Sequence, residues 1–208
     1  MTPAEEPIRS TAADLPRRTR SDARQNADAL LAAARAVFAR SGVDAPARSI
    51  AAEAGVGVGT LYRHFPNRAE LVAAVFTTEI DATAAAAAEL LADLAPGEAL
   101  DRWIERFTRF VATKQGLAAA LHSGDPAFES LPGHLIAKLG PAIGSLVTAA
   151  ARSGDIRPGV DPVQLLQAIG DLSHRTPSAD GSPNAMVRLL LDGLRLHDGA
   201  DTPVDNHP

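Results

Sequence analysis

Cysteine is absent from all 208 residues. Its absence excludes a disulfide framework, a thiolate metal site and a cysteine nucleophile, and it suits a reducing compartment. Aromatic side chains are scarce, with one Trp, one Tyr and six Phe making up 4% of the chain. Lysine occurs only at positions 114 and 138, so the cationic residues are almost all arginine. No run approaches the roughly 18 strongly apolar residues of a membrane span, and the opening Met-Thr-Pro-Ala-Glu-Glu lacks a basic segment followed by an apolar one. These gaps lead us to expect a cytoplasmic protein with no membrane partner. Gly-x-Ser-x-Gly, phosphate-cradling Gly-Lys-Ser and His-Glu-x-x-His are missing, and His122, His134 and His174 stand apart at spacings unsuited to a metal. The expectation is a protein that is not an enzyme and needs no cofactor or metal.

What is present favours helix. Apolar residues make up 46% and charged ones 22%, ordinary values for a globular chain, and the apolar share is rich in alanine, the strongest helix former. The fold class expected is all-α. The net charge of −5 conceals a division: residues 15 to 68 hold nine basic and four acidic side chains, whereas residues 69 to 208 hold ten and 18. Positive charge is gathered near the front of the chain, the distribution that contact with a polyanion requires.

The same region holds a tight corner. From Arg48 to Phe65 the sequence reads as two short helical patterns joined at Gly55 by too few residues for anything larger, which is a helix-turn-helix. Crossing at roughly 90 to 120°, such helices leave the second one projecting, free to enter a DNA major groove about 12 Å wide. Upstream, a helix from Ser21 places Leu30, Leu31, Ala34, Val37 and Phe38 at helical spacing and stops at Ser41-Gly42. Its partners are Ile50, Ala51 and Ala54 from the middle helix, Leu61 and Phe65 from the third, and Val56 in the turn. Asp44 or Ala45 starts the middle helix, with Pro46 in its first turn. Leu61 and Phe65, at i and i+4 on the inner face, force Thr60, Tyr62, Arg63 and His64 outward. Gly55-Val-Gly-Val-Gly follows a helix instead of a strand and so is not a dinucleotide loop.

Around the corner the chain divides into a disordered arm over residues 1–20, ending in Arg17-Arg18-Thr19-Arg20, a three-helix unit over 21–66, a larger helical unit over 67–198 and a disordered tail over 199–208. The arginines of the arm suit a solvated charge run and a DNA-binding arm equally. Asn67-Arg68-Ala69-Glu70 resembles a capping box and opens a long helix that Pro96-Gly97 ends. A fifth helix, from Glu98 to about Lys114, puts Trp103, Phe107, Phe110 and Val111 on one stripe; burial alone would account for these aromatics, and they are also the candidates for a pocket wall. A short helical stretch near Leu117 to Leu121, a helix from Pro132 to Ser153 kinked at Pro141, and helices over Pro162 to Ser173 and Pro183 to His197 complete the pattern, the last two capped by Asp161 and Ser182.

The stretch Ile50 to Leu71, Ile-Ala-Ala-Glu-Ala-Gly-Val-Gly-Val-Gly-Thr-Leu-Tyr-Arg-His-Phe-Pro-Asn-Arg-Ala-Glu-Leu, resembles the amino-terminal domain of TetR-family transcriptional regulators over roughly Ser21 to Phe76. The resemblance implies a three-helix DNA-binding domain followed by a larger helical domain for ligand binding and dimerisation. It implies that Tyr62 and His64 contact phosphates, that Val58, Gly59 and Thr60 face the groove, and that Arg48 and Arg68 reach a base or the backbone. Two departures stand out: Ala45-Pro46 where the family often has Ser or Thr, and Gly57 where it often has a polar residue. Side chains at Val58 and Gly59 offer no donors, so base reading leans on Arg48, Thr60, thymine methyls and DNA shape. Dimerisation through the last two helices is implied as well, with Leu165, Leu166, Ile169, Leu172, Leu189, Leu190 and Leu194 supplying apolar surface and Gly170 and Gly193 close approach. The function so implied is a homodimeric repressor that binds a palindromic double-stranded operator and is released by a small-molecule effector; the alternative is a ligand-binding or interaction protein of the same fold without operator control.

Overall fold

In the computed structural model, residues 15–112, 125–175 and 182–196 are described, with side chains from residue 25 onward. They form eight α-helices and one 3-10 turn, with no β-strand among the described residues beyond a single bridge between Ile156 and Arg195. The short helix expected near Leu117 to Leu121, His122 and the tail after residue 199 lie outside the described residues.

Helix α1 (Leu15–Ser41) begins six residues ahead of the expected Ser21. Pro16 falls in its first turn, where a missing N–H leaves nothing unpaired, so Arg17, Arg18 and Arg20 belong to a helix rather than to an arm. Its inner face, Leu30, Ala34, Val37 and Phe38, is buried. Helix α2 (Ala47–Glu53) starts later than expected because Pro46 takes the cap position in extended geometry, φ −60° and ψ 139°. Helix α3 (Val58–His64) follows after four residues.

The long α4 (Arg68–Asp93) is capped by Asn67, whose side chain accepts from the Glu70 backbone N–H at 2.9 Å. The second half of the expected box is altered. The Glu70 carboxylate accepts from Asn67 Nδ2, 2.9 Å away, and so grips the capping side chain. The helix ends at Asp93, and Pro96 opens α5 (Pro96–Ala112) instead of closing α4. Gly97 in the first turn of α5 donates its N–H to Asp155 Oδ2 at 2.8 Å. A Cβ at that glycine would lie 2.8 Å from Asp155 Cγ, so the close approach of this remote cap requires glycine. Ser153 Oγ donates to the same carboxylate oxygen at 2.6 Å and steadies it.

After a 3-10 turn (Pro126–Phe128) come α6 (Leu131–Ser153), with Pro141 in its interior, α7 (Pro162–Arg175) and α8 (Ala185–Leu194). Asp161 caps α7, accepting from the Gln164 N–H at 2.8 Å. At α8 the cap is Asn184, two residues beyond the expected Ser182. Its carbonyl oxygen accepts from the Val187 N–H at 3.0 Å while its amide donates to the Leu172 carbonyl at 2.9 Å, so one side chain both starts α8 and ties it to α7. Arg157 donates to the Gly193 carbonyl, Arg195 pairs with Asp101, and Arg157 N–H reaches the Leu194 carbonyl at 2.8 Å, fastening the end of α8 to α5 and to the loop after α6.

Helices α4, α5, α6 and α7 pack around one core that holds Ile80, Trp103, Ile104, Leu139, Ile143, Leu146, Leu166 and Ile169. Two segments, Arg68–Asp93 and Pro126–Ser153, are long and apolar enough to cross a membrane by length and composition, with mean hydropathy of 1.4 and 1.3 over their most apolar windows. This corrects the expectation that no segment qualifies. Alanine raises the mean without making a strongly apolar run, and half of the α4 window is buried inside the fold.

Candidate nucleic-acid interface

The corner between α2 and α3 is built by backbone hydrogen bonds that only a left-handed residue permits. Gly55 has φ +69°, its N–H reaches the Ala52 carbonyl at 3.1 Å, and the Val56 N–H reaches Ala51 at 2.9 Å. These two bonds are the paired closure of a Schellman ending, which normally brings together the apolar residues whose backbones it joins, here Val56 and Ala51. The chain then reverses, and Leu61, 1% exposed, anchors α3 on the core formed with Ile50 and Val37.

With Leu61 inward, the opposite face of α3 meets solvent. Tyr62 is 47% exposed and Val58 39%. Gly59 and Arg63 are also exposed, while Thr60 and His64 are half-buried, the His64 ring lying 6.4 Å from that of Phe65. Arg48 projects from α2 beside them. The structure thus brings Arg48, Val58, Gly59, Thr60, Tyr62 and His64 to two adjoining helices, on surface left open by the small core.

The head's arginines whose side chains are described divide into two groups. Arg40 is bound to Glu53 at 2.8 Å and Arg35 to Glu79 at 3.0 Å. Arg68, expected to meet the DNA backbone, is committed within the protein: Nη2 donates to the Val43 carbonyl, and its guanidinium lies 5.9 Å from the centre of the Phe38 ring. It locks the start of α4 to the end of α1 and the loop that follows, a positioning role. Arg48 and Arg63 have no ion-pair partner among the described residues. Arg63 was not assigned a contact in the sequence; its outward spacing from Leu61 was the available signal.

Two further sets of residues are withdrawn into the fold. Trp103, Phe107 and Phe110 are 0%, 3% and 3% exposed, and Trp103 stacks on Phe107 at 5.7 Å and donates Nε1–H to the Thr83 carbonyl at 2.8 Å. They pack as core, and the clefts described in the structure are lined by other residues. Leu165, Leu166 and Ile169, expected on a partner-facing surface, are at most 5% exposed within the single chain. Their i, i+1, i+4 spacing puts them on the face of α7 that packs against α5 and α6, so they belong to the protomer's own core. Leu189 is open at 64% with Met186 at 51%, whereas Leu190 and Leu194 are half-buried.

A small helical core that holds one exposed helix by its Leu61 face, beside unpaired arginine, defines a DNA-binding protein of the helix-turn-helix class. The comparisons agree. Residues 30–75 match the model for bacterial regulatory proteins of the tetR family, and residues 95–196 match that for the SbtR-like transcriptional regulator C-terminal domain. A TetR transcriptional regulator from Streptomyces coelicolor is 36% identical over 81% of this chain and 98% of its own, with a TM-score of 0.65. A TetR regulatory protein from Mycobacterium vanbaalenii is 36% identical over 86% and 99%, with a TM-score of 0.67. A TetR-family regulator from Agrobacterium tumefaciens shares the fold at 17% identity, covering 84% of this chain and all of its own, TM-score 0.63. No match is found among curated proteins. The chain belongs to the TetR family and is a DNA-binding transcriptional regulator.

Proposed function

We propose that the protein is a homodimeric repressor that places two copies of α3 about one DNA turn apart, roughly 34 to 36 Å, over a palindromic operator and leaves it when a small molecule binds the body formed by α4 to α8. The observation that carries this reading is the distribution of the described arginine side chains on the head: Arg35, Arg40 and Arg68 are held by internal partners, whereas Arg48 and Arg63 have no ion-pair partner among the described residues and lie with the exposed Tyr62 on the two helices of the corner. Free cations there displace counterions from phosphates, and Thr60 with Val58 reads bases by a hydroxyl and by apolar contact with thymine methyls.

The dimer reading rests on α8. Met186, Leu189, Leu190 and Gly193 lie at i, i+3, i+4 and i+7, an apolar stripe whose first two members are more than half exposed. A twofold axis beside that stripe pairs it with its own copy and hides the large side chains from water. Release by ligand follows from differential affinity for the two dimer settings and from nothing else, with α4 as the link that both units share.

Selection of bound fragments from random duplexes by the purified protein tests the whole reading. It should return an inverted repeat, and Tyr62→Ala should weaken binding to every recovered duplex and lower the salt dependence. Recovery of single half-sites would overturn the dimer, and recovery of no consensus would overturn operator control.

A further inference from the structure

A cleft of about 300 Å³ lies where α1 of the head meets α4, away from the exposed face of α3 and from the aromatic core of the body. From α1 it is lined by Asp28, Leu31, Ala32 and Arg35, which at i, i+3, i+4 and i+7 form one face; from α4 it is lined by Val75, Thr78 and Glu79, at i, i+3 and i+4. Two amphipathic faces therefore oppose each other across a gap they do not fill. The lining is mostly apolar, and its volume is at the lower end of the range for small-molecule sites.

The charges select the occupant. Arg35 and Glu79 neutralise each other across the cleft at 3.0 Å. Asp28, two turns away on α1, has no ion-pair or hydrogen-bond partner among the described residues, so the lining carries one unmatched negative charge. An anion placed there would face two carboxylates, and a neutral apolar molecule would leave Asp28 unused. A cation on an apolar body satisfies both features of the lining.

We propose that this cleft is a binding site for a small organic cation, an ammonium or guanidinium carried on an apolar ring system, with Asp28 holding the charge and Leu31, Ala32 and Val75 holding the ring. Because the cleft spans α1 and α4, an occupant contacts the DNA-reading unit and the helix linking it to the body at once. It goes beyond effector release through the body.

Isothermal titration of the full chain with 2-naphthylmethylammonium, and in parallel with 2-naphthoate, tests it. The expected result is saturable binding of the cation at one per chain and none of the carboxylate. Asp28→Asn and Ala32→Trp, the first removing the charge and the second filling the gap, should each weaken the cation by about tenfold or more. Both positions are exposed, so circular dichroism should show wild-type folding. No binding of the cation, equal binding of the carboxylate, or unchanged affinity in both variants would each overturn the proposal. No DNA is present in the titration, so its failure leaves the operator reading standing, and failure of operator selection leaves this site standing.

Discussion

The head and the body of this protein spend their side chains differently. In the head, α1 to α3 bury few large side chains, Leu30, Val37, Phe38, Ile50 and Leu61 among them, and leave Val58 and Tyr62 in water. In the body, Trp103, Phe107 and Phe110 are all withdrawn, and even the indole N–H is satisfied internally by the Thr83 carbonyl. In the head Phe38 is buried and Tyr62 is left in water, whereas in the body Trp103, Phe107 and Phe110 all hold the fold. Solvent exposure therefore separates an aromatic open to a partner from the aromatics spent on the core.

The largest effect expected from breaking this contrast comes from exchanging one aromatic for alanine in each unit. Trp103→Ala removes the bulkiest fully buried side chain, its stacking on Phe107 and its hydrogen bond, and should cost about 3 to 5 kcal/mol in urea unfolding followed by circular dichroism. Tyr62→Ala should stay within about 0.5 kcal/mol of wild type in the same measurement, because nothing in the core depends on it. Similar losses for the two would mean that Tyr62 supports the fold, and the contrast would fail.

A smaller effect separates two glycines within the corner. Gly55 holds φ +69°, and an added Cβ there meets nothing within 4 Å, so the whole cost of Gly55→Ala is backbone strain, about 1 to 2 kcal/mol. Gly59 lies inside α3 with ordinary helical backbone and equally open space, so Gly59→Ala should stabilise by about 0.5 to 1 kcal/mol. Thermal unfolding of the two variants should therefore shift in opposite directions. A shared direction would show that the corner does not rely on the left-handed turn.

How far the sequence could be read follows the same division. The head's logic is local: Gly55, Leu61 and the outward residues lie within about two helical turns of one another, so spacing alone orients them. Arg68 escaped that logic because its partners, Val43 and Phe38, are 25 and 30 positions upstream, and no periodicity announces a guanidinium resting on a distant ring. The body's helices were legible in outline, since Asp161 and the helical stripe of α5 are local signals. The inward face of α7 was not, because periodicity identifies an apolar stripe without saying whether its own chain or a partner covers it. Cap choice at α8 was missed for a related reason: Ser182 and Asn184 are both good caps, and the tie from Asn184 to the Leu172 carbonyl decided between them.

The finest distinction concerns two arginines on the same head, Arg40 and Arg48. A count of charge treats them alike, yet Arg40 is bound to Glu53 at 2.8 Å and Arg48 stands unpaired on α2. A cation that already neutralises a carboxylate has little left to offer a phosphate, whereas an unpaired one releases a condensed counterion when it arrives. Arg48→Ala should accordingly reduce the slope of log affinity against log salt by about one and weaken every duplex by a similar factor. Arg40→Ala should leave that slope in place and cost at most about 1 kcal/mol of stability, the ordinary yield of an exposed ion pair. Fluorescence anisotropy across a salt series reads the slope directly. Equal slopes for the two variants would mean that the head's field acts as an undivided positive patch, and that the internal pairing of Arg40 does not decide which arginines touch DNA.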